Sequence, residues 1–335
     1  LGLDAAFFNN RVNLVVDLYY KKTTDLLQYR YIDMSSGFNQ IACNYGDVTN
    51  KGLEITAHVI PVKTRDWMWT LDANISFNRN KIGGLNADQF SDVAWGIESM
   101  FLRRNGHPIG TLYGYVEDGF YDNEAEVRAD PYYRDATPSK VKSMVGQVKY
   151  KNLDDDPVID DRDKTIIGDT NPDYQYGITS TLNWKKWTFS FFLQGTQGND
   201  ILNVNLKQFD VAVGSGNMPY FVFNNRWTPE NRAAAKWPRA DGTFTRAMKA
   251  SDRYIVDGSY LRCKNISLSY NWAHPVKFVE SINIVASITN LFTISGYEWY
   301  DPDVNAFGSD PTRRGVDMSS YPSARTFNLG IQLAF

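Results

Sequence analysis

The sequence predicts an all-β fold, a portion of a transmembrane antiparallel β-barrel with about 9–11 strands. Three observations point there. Apolar and polar residues alternate with period two over most of the long segments, the mark of strands with unlike faces. The connections between these segments alternate short and long, as they do when strands run up and down through a bilayer. Aromatic residues gather at strand ends beside the short turns, where a lipid–water interface would hold them.

Taken in order, strands are read over roughly 1–8, 12–27, 47–60, 67–81, 174–184, 187–197, 258–272, 282–293 and 324–335. Val12, Leu14, Val16, Leu18 and Tyr20 oppose Asn13, Val15, Asp17, Tyr19 and Lys21. Leu53, Ile55, Ala57 and Val59 oppose Gly52, Glu54, Thr56 and His58. Trp67 through Phe77 and Phe327 through Phe335 repeat the pattern on odd positions. A soluble sandwich would alternate in the same way, so loop length has to separate the two folds. Asn9–Arg11, Pro61–Asp66, Lys185-Lys186 and Ala273–Glu280 are short, whereas Gln28–Asp47, Ile82–Pro108, Gly198–Asp257 and Ser295–Ser323 are long. A loop the length of Gly198–Asp257 is hard to place in a sandwich, whose turns recur every ~8–12 residues. Trp184 and Trp187 flank one short turn and Trp272 precedes another. Several strands exceed the ~9–11 residues that cross hydrocarbon, so they are expected to rise above the membrane as a rim. Thr111–Phe120 and Gln147–Leu153 add two strand-like runs. If both crossed, 121–146 would be a long turn on the short-turn side, so this segment is read as an extracellular excursion. Either strand count is odd and the start, Leu1-Gly2-Leu3-Asp4-Ala5, reads as mid-strand, so an N-terminal part is expected to be missing.

Composition removes other classes. A net charge of −3 leaves no basic surface for a phosphate backbone, which argues against nucleic-acid binding. No stretch approaches the ~18 apolar residues of a membrane helix. Cys43 and Cys263 lie far apart, and His58, His107 and His274 are scattered, so neither a CxxC nor an HExxH metal site is present. There is no GxSxG elbow, P-loop or GxGxxG, and enzyme chemistry is not supported.

Further motifs run through almost the whole chain: Asn44-Tyr45-Gly46-Asp47-Val48-Thr49-Asn50-Lys51-Gly52-Leu53-Glu54, Pro108–Tyr115, Val158–Asp161 and Asn225–Asn231. Asp257–Arg262, Asn290–Ile294 with Asp301-Pro302-Asp303, and Arg325-Thr326-Phe327 leading to the terminal Phe335 follow. In this order they resemble the C-terminal part of the SusC/RagA family of TonB-dependent outer-membrane transporters of Bacteroidetes. The resemblance implies that residues 1–335 are the C-terminal part of a 22-stranded barrel with long extracellular loops, the N-terminal plug lying outside them. It implies energy from the TonB complex, reached through that missing part, and a SusD-like surface lipoprotein closing the mouth. It also implies a cargo of oligosaccharide or, in some members, peptide. Phe335, the last residue, would be the assembly signal read by the barrel assembly machinery.

Two loops invite site readings. Asn152, Asp154, Asp156, Asp160 and Asp163 fall at positions 1, 3, 5, 9 and 12 of a calcium-loop spacing, with the Val158 carbonyl at 7. A calcium-like ion is one expectation and a solvated acidic loop the other. Pro157 stands where such loops need glycine, and its fixed φ forbids the left-handed turn. In Gly198–Asp257, the aromatics Phe209, Tyr220, Phe221, Phe223, Trp227 and Trp237 must find partners. Tyr220, Phe223, Trp227 and Trp237 are candidates for cargo or lid contact, against packing within the loop. Thr228 as N-cap and Pro229 at the first helical position predict a helix over Glu230–Lys236. Active nutrient import leads as the function. A passive porin is the alternative, and a soluble secreted glycan-binding protein a third.

Overall fold

The computed structural model describes residues 1–93, 99–154, 156–207, 218–240 and 249–335. Among these, nine strands form one antiparallel sheet in chain order. They are β1 (Gly2–Phe7), β2 (Val12–Thr23), β3 (Asp47–Lys63), β4 (Trp67–Gly83) and β5 (Tyr174–Trp184). β6 (Trp187–Gln197), β7 (Tyr260–Val276), β8 (Val279–Ser295) and β9 (Thr326–Ala334) complete it. Each strand read from the alternation is present. Every strand pairs with its neighbour in the chain, and β1 and β9 are the two edges.

Register turns nine separate alternations into two continuous faces, because residues paired across antiparallel strands point the same way. One row runs Leu14–Ala57–Ala73–Ile178–Leu193 across β2 to β6. Another runs Phe189–Leu268–Ala286–Leu329 across β6 to β9. The opposite face carries Asn13–His58–Asp72–Thr179 and Ser190–Ser267–Ser287–Asn328. A slip of one residue at any pairing would transpose the faces beyond it, so the hydrophobic pattern fixes the register. In a membrane barrel, as the sequence predicts, the apolar face is the outward one, against lipid, and the polar face the inner one. Ser180 is a polar residue on the apolar face, and Trp69 Nε1 donates to its Oγ at 3.0 Å, so neither group is left bare.

Beside the short turns Trp67 stacks on Trp184 at 5.4 Å, and Trp187 lies against Tyr270 at 4.7 Å. This is the aromatic girdle expected there. Lys185, at φ 52°, supplies the tight turn between them. Four strands, β3, β4, β7 and β8, run further than the alternation suggests. In β3 a bulge between Val59 and Val62 absorbs Pro61, which has no amide to give the ladder. In β7 a bulge between Ala273 and Val276 does the same around His274 and Pro275, so the β7–β8 turn shrinks to two residues. β2 instead stops at Thr23, and a separate hairpin, Leu27–Tyr31 against Gln40–Asn44, takes over.

The buried core lies in the loops. Val93, Met100, Phe101, Leu112, Leu202, Val204, Ala250, Tyr254 and Val316 come from three connections and form one cluster. Thr111–Gly114 sits in a small sheet between Thr165–Asp169 and Phe101–Arg103. Asp200–Asn203 lies between Ile255–Asp257 and Val316-Asp317. The segment 109–154 pairs outside the nine-stranded sheet, its strand-like runs reduced to Thr111–Gly114, Glu117–Phe120 and Val148–Tyr150. Two short helices, α1 (Glu124–Ala129) and α2 (Pro138–Met144), are capped by Asn123 and Thr137 and bury Val127, Val141 and Met144 around Tyr121.

Candidate binding cleft and its loop scaffold

The inner face of β4 to β7 and the loop between β8 and β9 enclose a cleft of about 480 Å³. Asn74, Gln175, Gln194 and Thr196 line its wall side, and Asp303, Asn305 and Arg314 its loop side. The alternation that turns leucines outward places these amides and hydroxyls inward. Phe192 projects to the same side, its ring covering Gly177. Gln194 donates to the Tyr260 hydroxyl at 3.3 Å, and the buried Oδ1 of Asn199 has no hydrogen-bond partner among the described residues. The cleft therefore offers many neutral donors and acceptors, one carboxylate, one guanidinium and aromatic faces. That chemistry suits a polar, largely uncharged chain molecule.

One buried cation holds the covering loop. Arg262 on β7 is 1% exposed and bonds the Asp301 carboxylate, the Thr293 hydroxyl at 3.0 Å and the Ser323 hydroxyl at 3.4 Å. Asp301 also accepts from the amides of Asp303 at 2.9 Å and Ser323 at 3.2 Å. Burial pushes the Asp301 carboxyl up, but the bonds from Ser323, Asp303 and Arg262 outweigh it and hold the group below its ordinary range. Tyr297 donates to Asp317 at 2.5 Å, and burial with that carboxylate pushes its phenol well above the ordinary value. Further in, Leu202 N–H donates to Gly315 O at 2.9 Å. Gly315 has φ +69°, and a Cβ there would press on Thr170 and the Asp200 carbonyl. The loop is thus pinned at both ends over the wall.

The residues singled out from sequence separate into groups. Trp227 and Trp237 are buried and brought together, Trp227 N–H donating to Trp237 O at 2.7 Å and the indole to Asp122 at 3.1 Å. Both are packed among the loop residues. Tyr220 and Phe223 stand exposed on the helix α3 (Tyr220–Asn225), away from the cleft lining. Phe209 lies outside the described residues. The helix predicted over Glu230–Lys236 is corrected to a series of turns. Thr228 does accept from Asn231 N–H at 3.1 Å, but the chain must return at once for Trp237 to pair with Trp227, which leaves no room for helical turns.

In the acidic loop, with Asp155 outside the described residues, the centre is occupied by a side chain. The Arg162 guanidinium meets Asp160 at 2.8 Å, Asp154 at 3.3 Å and also Asp156. Asp163 is fully buried and turns inward, accepting from the amides of Leu153 at 2.7 Å and Asp160 at 2.8 Å. Asn152 donates to the Asp156 carbonyl, and the Val158 amide donates to Asp156 at 2.7 Å. Hydrogen bonding from Arg162 holds the Asp160 carboxyl below its usual range. Among the described residues no group of three or more His, Cys, Asp or Glu is arranged to hold a metal ion. Phe335 is exposed just beyond β9.

No family profile matches the chain. Curated relatives do. Over its whole length the chain is 33% identical to TonB-dependent receptor P3 of Formosa agariphila, of which it covers 33%. It is 31% identical to TonB-dependent receptor P26 of the same organism and 30% identical to TonB-dependent receptor SusC of Bacteroides thetaiotaomicron, covering 34% and 31% of them. The chain is thus homologous, over its whole length, to TonB-dependent receptors of the SusC/RagA type. It spans about a third of the length of the curated relatives it matches. The fold agrees: the whole chain superposes on a third (34%) of the solved RagAB peptide transporter with a TM-score of 0.78 at 20% identity. Its sheet thus has the fold of part of the outer-membrane β-barrel of such a receptor.

Proposed function

We propose that this SusC/RagA-type chain forms the cargo-facing wall of a barrel that imports oligosaccharide across the outer membrane. The observation that carries the reading is the polar cleft on the inner face, covered by a loop pinned through Arg262 and Asp301. Hydroxyl-rich cargo matches its amides, and Phe192 offers a ring on which a sugar can stack. The TonB complex would supply the energy through the part of the receptor outside this chain, and a SusD-like lipoprotein would close the mouth above the loops. Exposed Tyr220 and Phe223 on α3 suit lid contact better than cargo contact, since they lie off the cleft. The family resemblance read from the sequence favours oligosaccharide, and the fold match to the RagAB peptide transporter makes peptide the competing cargo.

Uptake of labelled oligosaccharides and of labelled peptides by cells carrying the whole receptor tests this. Gln194→Trp, which fills the cleft, is expected to cut oligosaccharide uptake while leaving barrel abundance unchanged. Uptake that persists without TonB would make the barrel a passive porin and overturn the import reading.

A further inference from the structure

Outward residues of β4 run Trp67, Trp69, Leu71, Ala73, Ile75 and Phe77, and then become Arg79 and Lys81. From Trp67 to Phe77 is about 34 Å along the strand at ~3.4 Å per residue. Tilted by about 40°, that length rises roughly 26 Å, the height of a barrel's apolar band at about 25 Å. Arg79 and Lys81 therefore begin where the hydrocarbon ends, on the long-loop side. Register places Tyr20 and Lys51 beside Arg79, and Lys22 and Thr49 beside Lys81. Four cations thus stand on three adjacent strands, on the lipid-facing side, one step above the apolar band. Two are already paired, Lys22 with Asp47 at 3.4 Å and Arg79 with Asp173 at 2.6 Å. Lys51 Nζ lies 5.4 Å from the Tyr20 ring centroid, and neither Lys51 nor Lys81 makes an ion pair among the described residues. The upper ends of other strands differ. Outward residues there are Tyr174 on β5 and Phe292 and Ile294 on β8, so the cations form a patch and not a ring around the wall.

We infer that Lys51 and Lys81, with Arg79 and Lys22 beside them, bind the phosphate of an outer-leaflet lipid headgroup. Ammonium groups at headgroup height attract lipid phosphate, and the apolar rows below Lys51 and Arg79 (Leu53 and Phe77, then Ile55 and Ile75) receive the acyl chains of the same molecule. A lipid satisfies both halves of the surface; a free phosphate satisfies only one. The inference rests on the membrane-spanning reading of the sheet, which barrel yield in the outer membrane checks independently.

The test is native mass spectrometry of the whole receptor in detergent with added lipid A. Phosphorylated lipid A is expected to stay bound, and lipid A stripped of phosphate to dissociate. Lys51→Gln with Lys81→Gln should lower retention several-fold at unchanged barrel yield, while Lys185→Gln with Lys186→Gln, at the opposite end, should not. Equal retention by the first pair of variants overturns the site. So does displacement of the lipid by inorganic phosphate alone, or equal binding of the stripped lipid.

Discussion

Arg262 shows what one residue can decide. Its guanidinium is buried with Asp301 as chief partner, and removing one side of such a pair strands a charge at a cost of about 3–5 kcal/mol. Arg262→Met is therefore expected to expose the 295–325 loop to protease and lower the melting temperature. Pairing it with Asp301→Leu should recover most of the loss, which limited proteolysis of the two variants will show. The pH response has a definite sign. Asp301 titrates lower in the folded loop than in the unfolded chain, near 3.9. Its contribution is complete above that ordinary value and drains away as pH falls through the depressed one. Loop protection in acid should fall along this course in the native protein and lose that slope in Asp301→Asn. Arg162 has a parallel role among Asp154, Asp156 and Asp160. A chelator is expected to leave cleavage of the native loop unchanged, whereas Arg162→Ala should be cleaved readily and regain protection with calcium. Chelator-sensitive cleavage of the native loop would instead favour a bound ion. The spacing of the acids was legible in sequence. That Arg162 folds back into their centre was not, because a ligand spacing says nothing of which cation fills it.

At the scale of the element, alternation reads a strand's two faces but not its length. Pro61 and Pro275 end the pattern in sequence, yet bulges carry β3 and β7 past both. The face assignment itself can be tested on β9. Leu329 shares a row with Phe189, Leu268 and Ala286, and Asn328 shares one with Ser190, Ser267 and Ser287. Leu329→Arg is expected to cost ~2–4 kcal/mol near the midplane, and Asn328→Arg to be tolerated. Barrel yield in outer-membrane fractions measures the difference. Deleting Phe335, just beyond β9, should lower outer-membrane abundance with transcription unaltered if it is the assembly signal. The predicted helix over Glu230–Lys236 failed for a reason of the same scale. Thr228 caps as its chemistry dictates, but seven residues, though rich in strong helix formers, are too short a run to outweigh the pairing of Trp227 with Trp237.

For the whole molecule, the unusual fact is where the core sits. The wall hides little from water within this chain, and large apolar residues such as Leu268, Trp272 and Leu329 stay exposed because lipid is their solvent. The buried cluster is built from connections instead, with Leu112, Leu202, Tyr254 and Val316 meeting above the sheet. Loops with a core of their own can hold a fixed cleft, as the proposed import of a specific cargo requires.

By itself the sequence determined the nine strands, their two faces, the side on which the turns are short and the family that the chain resembles. Each of these is local or repetitive: period two is written residue by residue, and every strand repeats it. Only the tertiary structure decided that 109–154 pairs outside the wall, that Trp227 and Trp237 are buried together, and that Arg262 reaches Asp301 to roof the cleft. These are contacts between distant loop residues with no periodicity to announce them. A buried charge pair or an aromatic pair is selected by the space that other segments leave, and that space exists only once the wall has set its register.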